Sequence, residues 1–167
     1  RFDSFTSYCA LTIMTEPRSF RVEAVVLRHA DWGEADRLLT LYTRERGKVR
    51  AIAKGARKIR SRKAEHLEPF TRVTLQLARG HDLLIVTQAD TVDAYLPIHE
   101  NLVKTGHAAY VVELLDRFTY EDDTKNFHIF RLLTEALSRL EKESDPWLAI
   151  RYYEVRLLDS LGYRPHL

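Results

Sequence analysis

The residues with the clearest chemical signature form one run, Lys54-Gly55-Ala56-Arg57-Lys58-Ile59-Arg60-Ser61-Arg62-Lys63. Closely spaced cations with few acids among them make a footprint for a polyanion, and nucleic acid is the commonest such partner. The footprint begins upstream. Residues 44–63 hold ten Lys or Arg and one acid, Glu45, a local charge of +9. The whole chain carries only +2, so everything outside this window sums to −7 and the pI near 8.7 is the work of one patch. The expected phosphate contacts are Lys48, Arg50, Lys54, Arg57, Lys58, Arg60, Arg62 and Lys63. With so few acids nearby in sequence, these charges cannot all pair locally. Gly55 permits a tight turn or a close approach of backbone to ligand, and the Ser61 hydroxyl can donate to a phosphate oxygen. The bland alternative is a solvated basic loop.

Other chemistries have weaker support. Trp32, Tyr42 and Phe70 could stack on unpaired bases, but a single aromatic more often anchors a core or a turn, and Phe70, after Pro69, is expected to be packed. Glu34 and Asp36 could share a face as a carboxylate pair for a nuclease; the adjacent Arg37 favours an ion pair instead. Glu121-Asp122-Asp123 resembles a metal cluster only superficially and reads as a solvated turn whose last member caps a helix. The seven histidines form no HExxH pair, and GxSxG, phosphate-loop and GxGxxG motifs are absent. A lone cysteine, Cys9, excludes an internal disulfide framework and a cysteine zinc site within these 167 residues. The longest apolar run is five residues, Ala108 to Val112, far short of a membrane span. One thiol and no secretory segment point to the cytoplasm.

These side chains need elements to hold them. Before residue 97 the sequence reads as short strands: 21–28, 37–44, 48–54, 70–78 and 83–91, with turns at Glu45–Lys48 and Gly80–Asp82. Such spacing suggests a small barrel or sandwich. His29–Glu34, which includes Trp32, reads as a loop. In the third strand Val49, Ala51 and Ala53 share one face and Lys48, Arg50, Ile52 and Lys54 the other, because successive side chains alternate. In the fourth, Val73, Leu75 and Leu77 face one way. After Pro97 the period becomes helical. One stripe joins Val103, His107, Tyr110, Val111, Leu114 and Phe118, and a second joins Phe127, Phe130, Leu133, Leu137 and Leu140. A third helix is capped by Asp145, starts at Pro146 and stops at Gly162. It carries Trp147, Leu148, Ile150, Val155, Leu157, Leu158 and Leu161 and is expected to be buried on much of its circumference. At the N-terminus, Met14 reads as the natural start, and residues 1–18 as a leader outside the fold.

The segments Ala24-Val25-Val26-Leu27, Glu34 through Thr43, Gly47-Lys48, Ala53 through Lys58, Ser61 and Leu67-Glu68-Pro69-Phe70, in this order and spacing, resemble the N-terminal region of the RecO family of bacterial DNA repair proteins. The match covers about residues 21–90, and Leu157 through Pro165 is consistent with it, with weaker motifs. The resemblance implies an α+β chain: a five-stranded OB-fold barrel over 19–95, then an α-helical domain over 96–167 that is incomplete. It implies binding of single- and double-stranded DNA, annealing of complementary strands, and loading of RecA with RecR onto strands coated by single-strand-binding protein, in the cytoplasm at the nucleoid and without bond-making catalysis. It also implies that the acidic tail of single-strand-binding protein docks on the helical domain, where Arg131, Arg151 or Arg156 could take its carboxylates. No cofactor is expected in this chain; the four-cysteine zinc module of many members would follow Leu167. The alternatives are a generic single-stranded DNA or RNA binding module, a nuclease, and a scaffold that binds only proteins.

Overall fold

The computed structural model describes residues 17–58, 63, 66–121 and 127–163. Among the described residues, strands β1 (Ser19–Trp32), β2 (Asp36–Thr43), β3 (Gly47–Ala53), β4 (Arg72–Arg79) and β5 (Leu84–Asp93) precede helices α1 (Leu96–Glu100), α2 (Leu102–Phe118), α3 (Phe127–Lys142) and α4 (Trp147–Ser160).

The strands close into a barrel in the order β1-β2-β3-β5-β4, the topology of an OB fold. All neighbours are antiparallel except β3 and β5, where Ala51 and Ile52 meet Leu84 and Ile85 in parallel. Closure needs a strand long enough to pair on both sides. β1 does this: its first half pairs with β4 from Ser19↔Ala78, and its remainder pairs with β2 as far as Trp32↔Asp36. A register shift between Val26 and Arg28 bends the strand at the crossover, the usual work of a bulge. His29 to Trp32 thus continue β1 rather than forming a loop, and Trp32 is the last residue of the strand.

Alternation explains the interior. Val49, Ala51 and Ala53 of β3 and Val73, Leu75 and Leu77 of β4 point inward and are buried, as their spacing predicts. They pack with Val22, Ala24, Val26, Leu39 and Leu41. The alternate residues of β1 and β2, Val25, Leu27 and Tyr42, point outward, yet they too are buried, because the helices cover that side. This double burial is why β1 reads as an unbroken apolar run.

The helices have legible ends. Asn101 caps α2, its Oδ1 accepting from the Val103 and Lys104 N–H groups at 3.0 and 3.2 Å. At the other end of the domain Gly162 takes φ +88°, and the Tyr163 and Gly162 N–H groups bond the Leu158 and Asp159 carbonyls, closing α4 as a Schellman turn. The start of α4 falls one residue later than expected. Pro146 occupies the N-cap position, while Asp145 Oδ1 still accepts the Trp147 N–H at 3.2 Å.

The helical faces differ from the expected stripes. α2 buries Ala108, Val111, Val112 and Leu115, whereas Val103, Tyr110 and Phe118 are exposed. α3 follows its pattern from Phe130 to Leu140, but Phe127 lies outside. α4 buries Ala149, Ile150, Tyr153 and Leu157, and Trp147, Leu148 and Val155 face outward. The buried faces include the small residues Ala108 and Ala149. A hydrophobicity pattern weighted to bulky residues misses them. The Tyr153 hydroxyl, buried among the helices, donates to the Val111 carbonyl at 3.1 Å. Burial pushes its pKa far up. No helix is long and apolar enough to cross a membrane among the described residues.

Candidate nucleic-acid interface

The outward face of β3 presents Lys48, Arg50, Ile52 and, just past the strand, Lys54. Folding treats these four differently. Lys48 is withdrawn into the joint between barrel and helices. Its ammonium donates to the Asp116 and Thr119 carbonyls at 2.8 and 3.2 Å and pairs with Asp116 Oδ1 at 2.6 Å. Arg28 reaches the same carboxylate from β1, at 2.9 Å. Burial alone would raise the Asp116 pKa, but the bonds and charges of Lys48 and Arg28 outweigh it and hold the carboxyl below its ordinary value. Arg50, half-exposed, pairs with Glu121, which follows α2 and bridges to β3 beside Lys48. Lys54 is exposed and makes no ion pair or hydrogen bond among the described residues.

Beyond β3, Gly55 adopts φ +68°, and a fastening follows. The Gly55 N–H donates to Asp36 Oδ1 at 2.8 Å, and the Arg57 N–H to the Ala35 carbonyl at 2.9 Å. The Arg57 side chain donates to the Gly33 carbonyl at 3.1 Å and pairs with Asp31 at 3.4 Å. These four bonds hold the β1–β2 turn against the segment after β3. Asp36 therefore serves the backbone of Gly55 rather than pairing with Arg37, which pairs with Glu68 at 3.1 Å. Lys58 is exposed beside Gly55, and Lys63 donates to the Val86 carbonyl of β5 at 3.1 Å. Arg60 and Arg62 lie outside the described residues, as do Ser61, Asp122 and Asp123.

The structure thus sets Arg50 and Lys54 along one trough, Arg57 against the β1–β2 turn with Lys58 next to it, and Lys63 against β5, and it takes Lys48 into the interior joint. The acids that engage the basic window, Glu23, Asp31, Asp116 and Glu121, come from distant parts of the chain. Local sequence could not reveal them. Two adjoining cavities of about 570 and 410 Å³ run along β3 and share Arg50, Gly80, His81, Asp82 and Leu83. Trp32 lines the first of them.

A second concavity lies between α3 and α4, about 440 Å³, lined by His128, Arg131, Leu132, Tyr152 and Arg156 together with Glu135, whose carboxylate is paired with Arg139 at 2.7 Å. Arg131 and Arg156 make no ion pair among the described residues, whereas Arg151 is engaged by Glu154 at 2.5 Å. Among the described residues no cluster of three or more His, Cys, Asp or Glu could hold a metal, and the lone Cys9 is outside them. The residues present do not supply a four-cysteine zinc site.

The barrel and the helical bundle that follows it coincide with two known sequence families. A family model described as "Recombination protein O N terminal" matches residues 14–95, and one described as "Recombination protein O C terminal" matches residues 99–167. The chain belongs to the RecO family. Proteins called "DNA repair protein RecO" from Roseiflexus sp. (strain RS-1) and Heliobacterium modesticaldum are each 43% identical to it over 150 residues, 90% of this chain and 52% and 54% of theirs. One from Bifidobacterium longum is 41% identical over 89% of this chain and 63% of its own. This RecO-family chain therefore spans about half the length of the first two relatives.

Proposed function

We propose that this chain binds single- and double-stranded DNA at the β3 end of the barrel and acts as a recombination mediator in DNA repair. Arg50, Lys54, Lys58 and Lys63, with Arg60 and Arg62, form the phosphate track; Arg57 positions it and contributes charge. The observation that supports this most is the exposure of Lys54 and Lys58 without acidic partners among the described residues, with Lys54 lining a trough along β3. Unpaired surface cations lose little by exchanging water for phosphates and gain from counterion release. A basic surface also lowers the repulsion between two complementary strands, so base pairing alone can drive annealing without a bond-making step.

The same reading extends to partners. The chain works with RecR to load RecA onto strands coated by single-strand-binding protein, in the cytoplasm at the nucleoid. The α3–α4 concavity receives the acidic tail of single-strand-binding protein. Arg131 and Arg156 take the carboxylates and Tyr152 and Leu132 the apolar side chains; Arg151, held by Glu154, is the weaker candidate. Binding needs no metal from this chain.

The deciding experiment follows annealing of labelled complementary oligonucleotides, alone and coated with single-strand-binding protein. The expected result is accelerated annealing that falls steeply with salt and is unchanged by a chelator. Tight binding to single strands without acceleration would favour a generic single-strand-binding module instead.

A further inference from the structure

We infer that Trp32 is a stacking platform for an unpaired nucleobase, so that the Trp32 end of the β3 trough distinguishes single strands from duplex. This rests on the nucleic-acid reading above and adds to it a specific subsite and its ligand.

Trp32 ends β1, opposite Asp36, with 47% of its surface exposed. Its indole makes no ring contact or side-chain hydrogen bond among the described residues, and the exposed half of its surface is open to a ligand. Its surroundings are selective. Ile52, Leu83 and Ile85 give the trough an apolar floor beside it, and Arg50 and Lys54 stand on the same wall. Asp82 also lines the trough, where His81 Nδ1 meets its carboxylate at 2.8 Å. An indole flanked by aliphatic side chains and cations suits a flat heteroaromatic ring on a phosphodiester chain. Every base has such a face, so the site tolerates any sequence. Bases stacked inside a duplex cannot enter it.

The platform is held in place in advance. Asp31, Gly33, Ala35 and Asp36, on both sides of Trp32, accept the bonds from Gly55 and Arg57. Little loop ordering is then required on binding. Arg57 is a positioning residue here, acting on the base through the turn.

The test compares the full chain with Trp32→Ala and Trp32→Phe, using three probes of equal length: oligothymidylate, an abasic oligodeoxynucleotide and a duplex. Base–aromatic stacking of about 1–3 kcal/mol corresponds to a loss of roughly five- to hundred-fold. The expectation is a loss in this range for oligothymidylate in Trp32→Ala, partial retention in Trp32→Phe, and unchanged affinity for the abasic strand and the duplex. The unchanged abasic affinity also shows that the variant is folded. In a Trp147→Phe background, fluorescence from Trp32 should be quenched by oligothymidylate and not by the abasic strand. Equal losses on all three probes, or none, would overturn the stacking role while leaving the phosphate track intact. If the unmodified chain binds none of the probes, both readings fall.

Discussion

Cations of one short window meet different fates, and the difference separates stability from binding. Lys48 and Lys54 lie on the same face of β3, yet Lys48 has only 13% of its side chain exposed and satisfies two carbonyls and a carboxylate, while Lys54 stands in water. Removing the first leaves buried acceptors without a donor, and removing the second leaves nothing unsatisfied. Lys48→Met should therefore cost about 1–3 kcal/mol in a urea titration. Lys54→Ala with Lys58→Ala should unfold at the same urea concentration as the unmodified chain. The binding experiment should invert this order. The double variant should lower the slope of log affinity against log salt by about 1–2 on single strands. An unaltered slope would remove Lys54 and Lys58 from the interface. Alternation alone placed both lysines on the outer face. It could not show that α2 would cover one of them, because the partners Asp116 and Thr119 are about seventy residues away.

At the scale of elements, the β half of the molecule was more legible than the helical half. A strand in a small closed barrel has one interior, so the two-residue period of Val49–Ala53 and Val73–Leu77 maps directly onto burial. The length of β1 was hidden, because His29 to Trp32 lack β-branched residues and pair at the exposed end of the barrel, and β4 opens at Arg72 rather than Phe70, which takes φ +66° in the turn before it. A helix offers a continuous circumference, and which arc is buried depends on neighbours: Ala108 and Ala149 are buried on α2 and α4, while bulkier Leu148 and Val155 stay outside. The joint between β3 and α2 makes a further prediction. The Asp116 carboxyl has a folded pKa below its ordinary value of 3.8. Between the two values the unfolded chain binds more protons, so stability rises with pH there. The contribution is complete above the unfolded value, declines as pH falls through about 3.8, and is gone below the folded value. Chemical denaturation from pH 6 to pH 2.5 should show a smaller acid-induced loss in Asp116→Asn than in the unmodified chain. Equal losses would mean that the ion pair with Lys48 does not report on folding.

Over the whole molecule, the boundary between barrel and helices is topological but not energetic. Val25, Leu27 and Tyr42 of the barrel wall belong to the same buried cluster as Val111, Leu115, Leu133, Leu137 and Tyr153 of the helices. Exposing the wall by detaching the helices would open three large apolar side chains to water at about 25 cal/mol per Å², and would also strip Lys48 and Asp116 of their partners. The two halves are therefore expected to unfold together. The two tryptophans report on the halves separately, Trp32 at the end of β1 and Trp147 at the start of α4, where its ring meets His107 edge-on at 5.7 Å. In single-tryptophan chains carrying Trp147→Phe or Trp32→Phe, urea transitions followed by fluorescence should share one midpoint and coincide with circular dichroism at 222 nm, as two-state unfolding requires. A lower midpoint for Trp147 would mean that the helices detach first, and that the shared cluster does not couple them to the barrel. A coupled molecule has a functional consequence: whatever docks on α3 and α4 stabilises the barrel that carries the cationic track, because binding energy gained by one part of a cooperative unit is felt throughout it.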